Sequence, residues 1–345
     1  MIDRIFQGEE DTEDKTFTLR PKTFSEFIGQ TSVKDNMSVF IKAAKSRKEP
    51  LDHVLLSGPP GLGKTTFATI IAQEMNANLK TTSAPSIERS GDMASLLSSL
   101  KPRDILFIDE IHRLRPVIEE VLYPALEDFR LDINIGLKGQ AKAVRIALPP
   151  FTLIGATTKA GSLTQPLISR FGITHRFDFY THQELILITN RNTAMLEMNM
   201  DKAGVEELSK RSRGTPRILN RLLRRVRDFA QVQNQKIISP SLIDYALTKM
   251  NIDALGLDDM DRKILNIVIN HFNGGPVGIE NLATSLSEDT ATIEDIYEPY
   301  LIQLGFIKRT RQGRVATSHA FKYLGIKAPH PDNKQEQSLF DNNTS

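Results

Sequence analysis

The chain of 345 residues contains no cysteine. Disulfides, thiolate nucleophiles and cysteine zinc sites are all excluded by that absence. Excess charge is also missing: 44 Lys and Arg face 42 Asp and Glu, a formal net charge of +2. Such a balance does not by itself predict a nucleic-acid partner, so the distribution of charge matters more than its sum. No stretch approaches the roughly 18 apolar residues of a membrane span. The segment Met1 to Asp14 is acidic and lacks an apolar run, which is not the pattern of a secretory signal. A reducing, aqueous compartment, the cytoplasm, is the expected location. The rest of the composition, 40% hydrophobic and 25% charged, is that of a globular protein with room for two or three domains.

The most informative run is Gly58-Pro59-Pro60-Gly61-Leu62-Gly63-Lys64-Thr65. An apolar stretch, Val54-Leu55-Leu56, precedes it, and Thr66 to Ala72 follows with helical spacing. A strand, a glycine-rich loop and a helix N-terminus together bind phosphate through backbone N–H groups and the helix dipole. Lys64 then reaches the β- and γ-phosphates, and the Thr65 hydroxyl ligates Mg²⁺. A second run, Ile105-Leu106-Phe107-Ile108-Asp109-Glu110, delivers two carboxylates to the end of a buried strand. Asp109 can hold hydrated Mg²⁺, and Glu110 can orient or deprotonate an attacking water. The two runs together predict hydrolysis of ATP or GTP.

Strand-like runs at His53–Ser57, Ile105–Asp109 and Phe151–Ala156 alternate with helical patterns, so an α/β parallel sheet is expected over 17–180. Residues 1–16 read as a polar, acidic leader, and 329–345 as a polar tail. Residues 181–255 read as mostly helical. There, Lys210 to Arg227 holds eight basic residues and no acid. Arg217, Arg221 and Arg224 share one helical face, and Leu219, Leu222, Leu223 and Val226 the other. In 256–328, helix candidates Ile279–Leu286 and Thr292–Leu304 precede two short strand-like runs around Arg311-Gln312-Gly313. Helices followed by a hairpin suggest a winged helix. This segment is electrically split: nine acids and two bases from Asp258 to Leu304, six bases and no acid from Gly305 to His330. A wing with Lys308, Arg309, Arg311 and Arg314 can grip phosphates without reading sequence, although a solvated charge run has the same pattern. His112, His175 and His319 lack metal-ligand spacing and are expected to be hydrogen-bonded or solvated.

Asp109-Glu110, the strand ending in Gly155-Ala156-Thr157-Thr158, and Ser169-Arg170-Phe171-Gly172 together resemble the AAA+ ATPases. The chain is similar, more narrowly, to the RuvB family of bacterial Holliday-junction branch-migration motors. That similarity rests on Leu19-Arg20-Pro21, Phe27-Ile28-Gly29-Gln30, Gly58–Thr66, Gly155–Gly161, Gly214–Ala230, Gly274-Gly275-Pro276-Val277-Gly278, Glu298-Pro299-Tyr300-Leu301 and Gly313 to Thr317. It covers roughly 17–328 and includes the C-terminal segment as well as motifs common to many ATPases.

The resemblance implies an AAA+ P-loop ATPase core with a parallel sheet (17–180), a helical lid (181–255) and a C-terminal winged-helix domain (256–328). It implies catalytic roles for Lys64, Asp109, Glu110, Thr158, Arg170 and Arg217. Arg170 would enter a neighbouring subunit's ATP site, and Arg217 would cover the phosphates from the lid. ATP would also meet Leu19, Arg20, Ile28, Gly61, Gly63, Thr65, Thr66, Glu127, Asp128, Phe129 and Tyr180, with Mg²⁺ on Thr65 and Asp109. Arg309 and Arg314 would contact DNA. The insertion 131–148 would be a hairpin that docks the junction-binding partner RuvA, with the resolvase RuvC in a larger complex. A hexameric ring acting in recombination, DNA repair and the SOS response to DNA damage completes the implied picture. Two rivals remain at this stage. A clamp-loader-like ATPase would share the first two domains without needing a basic wing, and a nucleotide-gated DNA-binding regulator would use the wing without hydrolysis. Glu110→Gln separates motor from regulator, because a motor loses work yet keeps ATP.

Overall fold

The computed structural model describes residues 19–135 and 142–327. The leader assigned to 1–16 and the tail assigned to 329–345 lie outside these residues. Two compact units meet in sequence at Leu257 and Asp258.

The first unit opens with α1 (Thr31–Arg47), β1 (Val54–Ser57) and α2 (Lys64–Met75), then β2 (Leu79–Ser83), α3 (Ser90–Ser98), β3 (Ile105–Asp109) and α4 (Pro116–Glu127). A hairpin of β4 (Arg130–Ile135) and β5 (Lys142–Ala147) precedes β6 (Thr152–Thr157), α5 (Gln165–Ile168) and β7 (Ile173–Arg176). Five strands form one parallel sheet in the order β2-β3-β6-β1-β7. This is the expected α/β core, and the boundaries of the three expected strands differ from the sequence reading by one residue at three ends and agree at the other three.

Unbroken apolar strands belong in a sheet covered on both faces, and the side chains sort accordingly. Val54, Leu56, Ile105, Phe107, Ile154 and Ala156 join one core with Phe67, Ile70 and Ile71 of α2. Their strand neighbours Leu55, Leu106, Ile108 and Leu153 join a second core with Met93, Leu97, Ile118 and Leu122. The alternation follows the two-residue period of a strand. Each of these fully buried large side chains contributes roughly 1.5–3 kcal/mol.

The helical segment comprises α6 (His182–Met195), α7 (Lys202–Lys210), α8 (Pro216–Val232) and α9 (Pro240–Lys249). Leu219, Leu222, Leu223 and Val226 of α8 are fully buried and belong to the same core as α2. The apolar face read from the sequence is thus the buried face, packed within the lid against α6, α7 and α9.

The second unit contains α10 (Asp259–Asn266), α11 (Ile279–Leu286), α12 (Thr290–Thr292), α13 (Glu298–Gln303), a β8–β9 hairpin (Ile307–Thr310 and Gly313–Ala316) and α14 (Ser318–Tyr323). The stretch read as one helix over Thr292–Leu304 is helical, but a wider π turn at Ile293–Tyr297 joins α12 to α13. Such turns are rare and occur mostly as single-turn bulges within α-helices. Arg311 and Gln312 form the tight turn of the hairpin.

Candidate nucleotide site and the C-terminal wing

Sheet register brings the chemistry together. Ser57 pairs with Thr157 and Ser83 with Asp109, so β3, β6 and β1 end side by side at one edge. The crevice outside the carboxyl ends of parallel strands, where the chain order reverses, is the usual ligand position. The phosphate loop leaves β1 here, and its Gly58 N–H donates to the Thr157 carbonyl at 3.2 Å. Gly61 has φ +81°, and a Cβ there would lie 2.9 Å from the Arg217 side chain. Only glycine lets loop and lid approach this closely. The Arg217 N–H in turn reaches the Gly61 carbonyl at 3.3 Å, which docks the first turn of α8 on the loop.

Lys64 is 7% exposed. Its ammonium donates to the carbonyls of Gly58 (2.7 Å) and Pro59 (2.9 Å). Burial pushes it down from 10.5 to about 8, with Arg217 adding to the fall and Glu110 and Asp109 opposing it. A desolvated cation with carbonyl partners gains strongly from an arriving anion. Thr65 Oγ1 lies 3.5 Å from Asp109 Oδ2. A hydroxyl and a carboxylate at this spacing are hard oxygen donors that fit Mg²⁺, which takes few protein ligands and fills its shell with phosphate and water. Gly63 (φ +97°) precedes Lys64 at the start of α2, and Thr66 is half-buried in its first turn.

Glu110 adopts φ +50°, a left-handed conformation that costs a residue with a Cβ about 1–2 kcal/mol. Its surroundings hold it there. The Glu110 N–H donates to Asp109 Oδ1 at 2.9 Å, and Thr158 Oγ1 donates to Glu110 Oε2 at 3.3 Å. His112 Nδ1 sits 3.3 Å from the same Oε2 and 3.0 Å from Thr157 Oγ1. The sequence reading placed no function on His112; its reach depends on the short turn Ile111–Arg113 folding back toward β6. The one available signal was its position two residues after Glu110.

The lid side is closed by Tyr180, whose hydroxyl donates to the Leu62 carbonyl at 3.0 Å and whose N–H donates to the Gly214 carbonyl at 2.9 Å. Burial, followed by the nearby Glu184 carboxylate, pushes its phenol well above the ordinary range. Leu19 is buried, and its carbonyl accepts from Arg191 at 2.9 Å. Ile28 packs against the core that contains Tyr180, and Arg20 is exposed.

Arg170, Glu127, Asp128 and Phe129 form a separate group. Arg170 makes a 3.0 Å ion pair with Glu127 and lies 4.4 Å over the Tyr123 ring. Asp128 pairs with Arg130 at 3.2 Å, and Phe129 meets Phe151 edge-on at 5.8 Å. None of these contacts is to the phosphate loop. His53, another residue the sequence reading left without a role, anchors this end of α4. Its Nδ1 accepts from the Leu153 N–H at 2.9 Å, so its Nε2–H donates to the Leu126 carbonyl at 3.1 Å. Burial lowers its pKa, consistent with a neutral ring. His175 departs from expectation: it stacks on Phe40 at 6.5 Å, and its buried Nε2 has no hydrogen-bond partner among the described residues.

In the second unit, Lys308, Arg309 and Arg311 are exposed on the hairpin. Arg314 is buried. Its Nε donates to Glu298, and its Nη2 to Glu294 at 2.7 Å. Arg309, half exposed, also pairs with Glu298. Burial works against the charge of Arg314, but Glu298 and Glu294 outweigh it and make the guanidinium more basic than usual. The acidic and basic halves read from the sequence are therefore not two separate surfaces, because two acids of one neutralise two bases of the other.

A phosphate loop after β1, an acid pair at the end of β3 with β6 between them, and a lid arginine docked on that loop, all in one compact unit, define a P-loop ATPase of the AAA+ class. Comparison with known proteins narrows the class. Residues 19–177 match the Holliday junction DNA helicase RuvB P-loop domain, 180–253 the RuvB AAA lid domain, and 254–325 the RuvB C-terminal winged helix domain. Among solved structures, the chain is 48% identical to a Thermotoga maritima RuvB Holliday junction branch migration motor, with TM-score 0.84, covering 90% of this chain and 99% of that one. An A156S mutant of that RuvB gives TM-score 0.85 at the same identity and coverage. The chain belongs to the RuvB family.

Proposed function

We propose that this chain is an ATP- and Mg²⁺-dependent motor that drives branch migration of Holliday junctions in recombination and repair. The observation that carries the reading is the presence, in one chain, of a phosphate loop with a carboxylate beside its Thr65 and a winged helix with an exposed basic hairpin. Mg²⁺ would sit on Thr65 and Asp109, supplying positive charge to the phosphates. Glu110, held by Thr158 and His112, orients the attacking water and accepts its proton. Lys64 and Arg217 meet the phosphate charge from loop and lid. A change of nucleotide then alters the contact between Arg217 and Gly61 and so moves the lid.

Arg170 does not touch the phosphate loop of its own chain, which supports its acting on the ATP of a neighbour. An arginine supplied in trans is worth roughly 10³–10⁵ in rate, and a residue given head-to-tail implies a ring or an open helix; a hexameric ring is the form we infer. Glu127, Asp128 and Phe129, beside Arg170, belong to that shared site, while Leu19, Arg20, Ile28 and Tyr180 surround the nucleoside of their own. The β4–β5 hairpin would dock RuvA, with RuvC joining the resolving complex. On the wing, Arg309 offers an exposed guanidinium to DNA phosphate, and Arg314 its remaining edge, with sequence-independent tracking as the consequence. Domain limits near 17, 180, 255 and 328 follow from this division of labour. A cytoplasmic location fits the lack, among the described residues, of any helix able to cross a membrane.

The test is dissociation of a synthetic four-way DNA junction. It should require ATP, rise with RuvA, and fall by about 10²–10⁴ in Glu110→Gln while nucleotide binding persists. Hydrolysis without strand movement under any condition would favour the clamp-loader-like alternative.

A further inference from the structure

Arg170 has a long side chain, held at its own turn by donating to the Pro166 carbonyl, and an arginine that acts across an interface must be aimed before the interface forms. A face of α4 performs that aiming. Glu119, Tyr123 and Glu127 are spaced four residues apart, so they stack on one side of the helix. Arg170 lies over the middle member, its Cζ 4.4 Å from the Tyr123 ring centre, and it pairs with the last at 3.0 Å. The first member is buried, and its carboxylate accepts two hydroxyls: Tyr123 at 3.0 Å and Thr164 at 2.6 Å. Thr164 caps α5 by accepting from the Leu167 N–H, and Arg170 follows that helix directly. Glu119 thus fixes both the ring under Arg170 and the turn that carries it.

We propose that Tyr123, locked by Glu119, is the positioning residue for Arg170, and that Glu127 is the counter-ion that a neighbouring chain's γ-phosphate displaces. The inference rests on the reading of Arg170 as acting in trans. The division of roles follows from burial. Glu119 is 4% exposed and its hydrogen bonds persist, whereas the Glu127 side chain is 56% exposed and its pairing is weak enough to exchange. The ring keeps its face under the guanidinium whichever anion the arginine holds. A misplacement of about 1 Å at such a group costs on the order of 10²-fold in rate.

Tyr123→Ala should lower kcat by about 10²-fold with KM for ATP little changed. Tyr123→Phe, which keeps the ring and loses the hydroxyl's contacts with Glu119 and Thr164, should lose roughly fivefold or less. Adding Tyr123→Ala to Arg170→Ala should cost nothing further. The decisive arm mixes Tyr123→Ala chains with Lys64→Ala chains, which keep an intact Arg170 but lack a working phosphate loop. Hydrolysis should return in the mixture, because the sound loop of one chain meets the aimed arginine of the other. No recovery would mean that Tyr123→Ala harms its own chain's site and would overturn the proposal, as would full activity of Tyr123→Ala alone beside an inactive Arg170→Ala. Full activity of Arg170→Ala would instead sink the trans reading beneath it.

Discussion

Lys64 in the first compact unit and Arg314 in the second are both buried cations, and the two are treated in opposite ways. Lys64 makes its direct hydrogen bonds to two carbonyls and is pushed down to about 8. Arg314 is gripped by two carboxylates and is pushed above its ordinary range. Both are less than a tenth exposed. Burial alone does not mark a charge that waits for an anion; the absence of a bonded counter-ion does. Lys64 lacks what a phosphate brings, whereas Arg314 already has it, from Glu294 and Glu298.

The largest effects should separate the two sites cleanly. Lys64→Ala removes a strained charge, so it should abolish hydrolysis, with a loss on the order of 10³-fold or more, and leave the denaturation midpoint unchanged or raised. A lowered midpoint would show that Lys64 is structural after all. Arg314→Met should do the reverse. It leaves buried Glu298 with only the half-exposed Arg309 as counter-ion, a cost of up to about 3–5 kcal/mol. Hydrogen exchange should then quicken over 258–327, while hydrolysis in the absence of DNA stays intact. Unchanged protection there would place Arg314 with Lys64 as a waiting charge.

A smaller effect sharpens the contrast inside the wing. Arg309 is half exposed, so Arg309→Ala should cost the fold less than about 1 kcal/mol. It should still weaken DNA binding uniformly across sequences and reduce the salt slope by about 1. An unaltered slope would remove Arg309 from the interface.

The same contrast explains what could be read from the residues in order. The phosphate loop and the Asp109-Glu110 pair are contiguous because backbone geometry, a tight turn and a strand end, makes the site. The buried face of α8 was legible because helical period is a local property. The pairing of Glu298 with Arg314 was not, since it depends on α13 packing beside the hairpin. Opposite charges read along the chain then looked like two surfaces. His53 and the link from Glu119 to Thr164 were hidden for the same reason: each joins elements far apart in sequence. The π turn at Ile293–Tyr297 left no mark in the apolar spacing.

The most direct test of a waiting charge at Lys64 is the proton balance of nucleotide binding. The free ammonium titrates at about 8, below its ordinary 10.5, and a bound phosphate raises it again. Between those values the complex holds more protons than the free protein, so binding must take protons up. Affinity should be full below about pH 8 and fall by up to about tenfold per pH unit above it. Calorimetry of a non-hydrolysable ATP analogue at pH 9, in two buffers of different ionisation enthalpy, measures that uptake. The account predicts a net uptake that disappears in Lys64→Arg, whose side chain does not titrate there. Binding at pH 9 with no proton uptake by the unaltered chain would contradict it.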